Sequence, residues 1–112
     1  MNIDNMKAQM RKGILELCIM SIIAEKEVYP SDIINKLKEV ELIVVEGTLY
    51  PLLSRLKNAG LLSYSWRESS AGPPRKYFNL TTDGNKFLAE LNQNWSRLVN
   101  AVNTTTQTKR DE

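Results

Sequence analysis

Placed at 100° intervals on a helix, the apolar residues between Met6 and about Glu25 fall into two stripes: Met10, Ile14, Leu17 and Met20 on one side, Leu15, Cys18, Ile19, Ile22 and Ile23 on the other. A helix apolar on two sides must be covered on two sides. One side can face the core of its own domain, and the other needs a second surface, either the last helix of the chain or a partner chain. With 112 residues there is room for one domain and one small core, and not for a catalytic domain beside a regulatory one.

Composition narrows the function classes. Hydrophobic residues make up 42% and charged residues 25%, an ordinary globular balance. No apolar run reaches membrane-spanning length, because Ile14 to Ala24 is interrupted by Glu16 and Ser21 and stops at Glu25-Lys26-Glu27. The N-terminus lacks the basic start of a secretory signal, so a cytoplasmic protein is expected. There is no histidine and one cysteine, which removes the commonest general base and the usual zinc ligand sets. The expectation is a binding protein, not an enzyme, with no metal and no cofactor. Cys18 reads as a small buried hydrophobe. The net charge of +2 is unevenly spread: Ser54 to Lys86 holds six basic and two acidic residues, whereas Met1 to Leu53 holds six and eight.

After the first helix, Tyr29-Pro30-Ser31-Asp32 reads as a turn into a second helix running to about Val40, with Ser31 or Asp32 as N-cap. Leu42 to Val45 is a small strand or an extended link. Leu49, Leu52, Leu53 and Leu56 fall at i, i+3, i+4 and i+7 and give the third helix one apolar face, with a start near Thr48 that keeps Pro51 in the first turn and a left-handed stop at Gly60. Leu61 to Arg67 and Lys76 to Leu80 are β-prone runs separated by a longish loop, Glu68 to Arg75. Thr81 to Gly84 offers a cap, and Leu88, Leu91, Trp95, Leu98 and Val102 then alternate at spacings of three and four, a coiled-coil-like seam.

This order predicts a mainly α chain with a small β-hairpin: a winged helix-turn-helix over residues 1–81, a C-terminal dimerisation helix over 82–103 and a flexible tail over 104–112. With its leucines turned inward, the third helix presents Thr48, Tyr50, Ser54, Arg55 and Asn58 outward, a set able to hydrogen-bond bases and phosphates. The hairpin adds Arg75 and Lys76, with Arg67 across the loop. Periodicity and charge alone leave open whether this face binds DNA or is the solvated side of a protein-interaction module.

Four segments in order, RKGIL at 11–15, EGTLYPLLSRL at 46–56, AGL at 59–61 and GPPRKY at 72–77, followed by Leu80-Thr81 and Gly84, resemble the successive signatures of PadR-type regulators. The similarity spans about residues 6 to 102. It implies a homodimeric repressor of double-stranded operator DNA, contacting it through Thr48, Tyr50, Ser54, Arg55, Arg75 and Lys76. The dimer interface would comprise Leu88, Leu91, Trp95, Leu98 and Val102.

With a single helix after the hairpin, the chain is similar to the short subfamily that includes multidrug-binding repressors, and Asn94 to Arg97 matches the segment where those proteins place a tryptophan that stacks on planar drugs. Trp95 is thus either a ligand platform or a large residue filling the seam. As a platform it would be joined by Met10, Gly13, Leu17, Met20 and Leu91 around a planar aromatic effector. Pro30-Ser31 stands where many relatives have Gly-Tyr, and Val99 where drug-binding relatives can carry a carboxylate, so neither a DNA contact from that corner nor a preference for cationic ligands follows.

Overall fold

The computed structural model describes residues 1–107, arranged as α1 (Ile3–Lys12), α2 (Leu15–Glu25), α3 (Pro30–Glu39), α4 (Glu46–Asn58), β1 (Leu62–Ser69), β2 (Gly72–Leu80) and α5 (Thr82–Thr106). The doubly apolar first helix is in fact two helices. Gly13 and Ile14 break it: the Ile14 amide bonds back only three residues, to Arg11 at 3.1 Å, and Ile14 leaves helical geometry at φ −115, ψ 3. Glycine and a β-branched residue in succession are poor helix formers, and the break lets the two stripes take different directions. On α2, Leu15, Ile19, Met20 and Ile23 are buried, whereas α1 buries no residue.

The core gathers Ile19, Met20 and Ile23 of α2, Ile33 and Leu37 of α3, the four leucines of α4, Leu62 and Phe78 of the hairpin, and Leu88 of α5. The α3 helix begins one residue before the expected caps: Pro30 takes the first helical position, and the Asp32 carboxylate accepts from the Tyr29 amide at 3.3 Å. Residues 42–45 form an extended link, not a strand; only Val44 is buried. The third rung of the sheet comes instead from Val28, which exchanges backbone hydrogen bonds with Phe78 at 3.1 and 2.8 Å.

The α4 helix starts at Glu46, two residues earlier than Pro51 suggested, so the proline lies inside it and removes an amide donor there. Its end is as expected. Gly60 sits at φ 80, and the amides of Leu61 and Gly60 bond to the carbonyls of Leu56 and Lys57, both at 3.0 Å, which closes the helix. The strands run further than their β-prone cores, leaving only Ser70 and Ala71 as the turn. Pro73 and Pro74 are accommodated where the register slips between Arg67 and Ser69, a bulge position that demands no ladder donor.

Thr81 caps α5 by accepting from the Gly84 amide at 2.9 Å while its hydroxyl donates to the Gly60 carbonyl at 2.6 Å. The helix outlasts its apolar seam by one turn, ending at Thr106 rather than 103. Thr105 and Thr106 donate to the carbonyls of Ala101 and Val102, each at 2.7 Å. The last part of the expected tail, 108–112, lies outside the described residues. Among the described residues, no helix is long and apolar enough to cross a membrane.

Candidate nucleic-acid interface

Because α4 buries Leu49, Leu52, Leu53 and Leu56, its opposite side is left to Thr48, Tyr50, Ser54, Arg55 and Lys57, all exposed. Tyr50, Ser54 and Lys57 fall at i, i+4 and i+7 and turn toward the hairpin. Together with Leu53, Tyr64, Lys76 and Phe78 they line a crevice of about 80 Å³ between helix and wing. Lys57 is a residue that outward periodicity could have found, since it continues the row of Tyr50 and Ser54.

Within the wing, register puts Tyr64 opposite Phe78 and Trp66 opposite Lys76, so these four share one face of the hairpin. The base of that face packs on the core through Phe78, while Trp66 further out is exposed. The Lys76 ammonium lies 4.3 Å from the Tyr64 ring centroid and 5.3 Å from that of Trp66, and Lys57 approaches Tyr64 at 5.5 Å. Tyr64 and Trp66 meet edge to face at 6.2 Å.

Arg67 and Arg75 pair across the strands on the other face. Arg75 rests on the Tyr29 ring at 4.7 Å and Arg67 on Tyr77 at 4.8 Å, and the two tyrosines lie 6.0 Å apart. Arg67 also pairs with Glu27, whose carboxylate accepts from Ser65 at 2.9 Å. Tyr29 thus supplies an aromatic at the corner where Pro30-Ser31 had left none expected. Only tertiary contact with the wing reveals it.

Not every cation on this side is free. The Arg55 guanidinium is held by Glu16 of α2 at 2.9 Å, tying the recognition face to the helix that follows the Gly13 break. Tyr50 keeps its proton: desolvation first, then Glu46 and Tyr29, push its pKa above the ordinary tyrosine value, so the hydroxyl is a neutral donor. Burial likewise pushes the Cys18 thiol up, away from thiolate chemistry.

Along α5, the seam residues separate. Leu88 is buried in the core of its own chain and Leu91 packs half-buried against it, so Leu88 does not belong to a surface seam. Trp95, Leu98 and Val102 remain 43%, 48% and 54% exposed. Trp95 stands between two grooves. One, of about 490 Å³, is lined by Met10, Ile14, Leu98, Val99 and Val102; the other, of about 480 Å³, by Leu17, Cys18, Ser21 and Asn92 among others. Met20 lines neither, because it is fully enclosed by the core, and Gly13 lines neither, because it forms the break between α1 and α2. Of the residues expected around Trp95, Met10 and Leu17 line these grooves, whereas Gly13, Met20 and Leu91 line neither, Leu91 being packed against the core.

A three-helix core, a helix with its polar row exposed and a cation-bearing two-stranded wing define a winged helix-turn-helix protein of the DNA-binding class. Residues 19–90 match the transcriptional regulator PadR-like family. The chain belongs to that family, and it is a DNA-binding transcriptional regulator. It is 60% identical to a PadR-like transcription factor from Bacteroides fragilis, with a TM-score of 0.76 over 91% of this chain and 99% of that one. A PadR-like regulator from Bacillus cereus is 39% identical, with a TM-score of 0.82 over 90% and 99%. A PadR family regulator from Eggerthella lenta is 28% identical, with a TM-score of 0.86 over 96% and 94%.

Proposed function

We propose that the chain is a sequence-specific repressor that binds a palindromic operator as a homodimer. Thr48, Tyr50, Ser54 and Arg55 of α4 read or brace the major groove, while Arg75 and Lys76 of the wing hold the backbone beside it. The supporting observation is that α4 and the wing bring together exposed Tyr50, Ser54, Arg55 and Arg75 with half-buried Lys76, whereas Met10 of α1 and Trp95, Leu98 and Val102 of α5 leave an apolar strip exposed. A second copy covers that strip, and a planar aromatic effector enters beside Trp95 and its mate to change the separation of the two α4 helices.

Operator selection from random duplexes followed by binding titrations tests this reading. Tyr50→Ala and Arg55→Ala each weaken operator binding by roughly 1–3 kcal/mol and narrow the gap to unrelated DNA, whereas Arg75→Ala weakens both alike and lowers the salt slope by about one. Selection that returns no consensus sequence refutes the specific-regulator reading.

A further inference from the structure

We infer that the crevice between α4 and the wing is a built anion site in which Lys57 and Lys76 together grip one phosphodiester of the DNA backbone. The inference rests on the DNA-binding reading above and deepens it: it adds Lys57, which that reading does not use, and has it share one phosphate with Lys76.

Two ammonium groups are brought to a single ring. Lys76 lies 4.3 Å and Lys57 5.5 Å from the Tyr64 centroid, one reaching from the strand and the other from the helix. Like charges gathered in this way repel, and the ring compensates only part of that repulsion. Carboxylates relieve it elsewhere on this surface: Glu16 takes Arg55 and Glu27 takes Arg67. Among the described residues no carboxylate pairs with Lys57 or Lys76. The missing partner is an anion from outside the chain.

The space between the lysines fits that partner. The crevice, about 80 Å³, is far smaller than either apolar groove beside Trp95, and it is walled by the side chains of Tyr50 and Ser54, whose hydroxyls can donate to phosphate oxygens. Leu53, Tyr64 and Phe78 give it an apolar part to its lining that lowers the local dielectric, which strengthens a charge-assisted contact. It lies between α4 and the wing, so a DNA strand bound to both would cross it. Tyr64 acts as a positioning residue: half-buried and fixed against Phe78 at 5.7 Å, it anchors the flexible lysine stems without touching the phosphate.

A shared phosphate has a signature that two separate contacts lack. Each phosphate neutralised on duplex DNA contributes about 0.9 to the slope of log K against log salt. Lys57→Gln and Lys76→Gln should each lower the slope by less than half of that, because one ammonium still meets the phosphate, and the double variant should lower it by about 0.9. A loss of about 1.8 in the double variant, or no loss, overturns the shared site. Tyr64→Phe should match the wild type, and Tyr64→Leu, checked for unchanged melting, should behave as the double variant; wild-type behaviour there removes Tyr64 from the arrangement.

Amide shifts on titration with inorganic phosphate at constant ionic strength test the crevice without DNA. Shifts confined to Tyr50, Ser54, Lys57, Lys76 and their neighbours, and abolished in the double variant, support it. Diffuse shifts, or shifts the double variant retains, overturn it. If the phosphate shifts are local but the protein binds no duplex, the anion site stands and the DNA-binding reading falls.

Discussion

At the scale of single residues, Gly84 is the glycine with the least room for a side chain. It lies in the first turn of α5, where Thr81 closes the cap, and a Cβ built there would sit 2.0 Å from the Leu61 carbonyl oxygen and 3.0 Å from its carbon. Backbone cannot swing aside as the end of a long side chain can. Gly84→Ala should therefore destabilise the fold by about 1–3 kcal/mol, as overpacking does in a filled core. That corresponds to a fall in Tm of several degrees for a domain of this size. Thermal unfolding measures it; an unchanged Tm would show that Leu61 and the cap relax at little cost. Glycine's other necessary place, Gly60, was legible from its position after the last leucine, because left-handed geometry at a helix end is a local demand. The need at Gly84 was not, since it arises from a carbonyl more than twenty residues earlier that only the fold brings near.

Among the elements, those with a strong internal period were legible and those shaped by contact were not. The four leucines of α4 identified both its buried face and the polar row opposite. Pro51 misled about its start: a missing hydrogen bond is tolerated in a helix held by four buried leucines, so tertiary packing outweighed the local penalty. The first helix was misread because period alone runs through Gly13 without interruption. The consequence falls on α1, which has ten residues, none buried, and is marginal without a cover. Its Met10 shares a groove with Leu98 and Val102, and the dimer proposed above covers all three. Leu98→Lys puts a charge in that seam at a residue 48% exposed in the single chain, so folding should survive while association fails. Sedimentation should then give a monomer with an unchanged circular dichroism spectrum apart from weakened α1; a stable dimer would move the interface elsewhere.

For the molecule as a whole, the effector proposed beside Trp95 needs a physical connection to α4. The path available is short. Met10 and Ile14, which line the groove under Trp95, flank the Gly13 break, and two residues further along Glu16 holds Arg55 of α4. A planar aromatic molecule that separates α1 from α5 would move α2's first turn and, with it, the recognition face of each subunit. Such coupling is reciprocal: if the molecule weakens operator binding by some factor, operator must weaken binding of the molecule by the same factor. Quenching of Trp95, read in a Trp66→Phe background so that the exposed wing indole contributes nothing, reports the binding of a planar dye. The expected result is quenching, a loss of roughly 1–3 kcal/mol of dye affinity in Trp95→Ala, by analogy with base stacking on aromatic platforms, and equal factors in the two directions of the operator experiment. Unchanged fluorescence across a panel of dyes would make Trp95 interface packing. Quenching with no effect of operator on dye affinity would leave a binding groove that does not regulate.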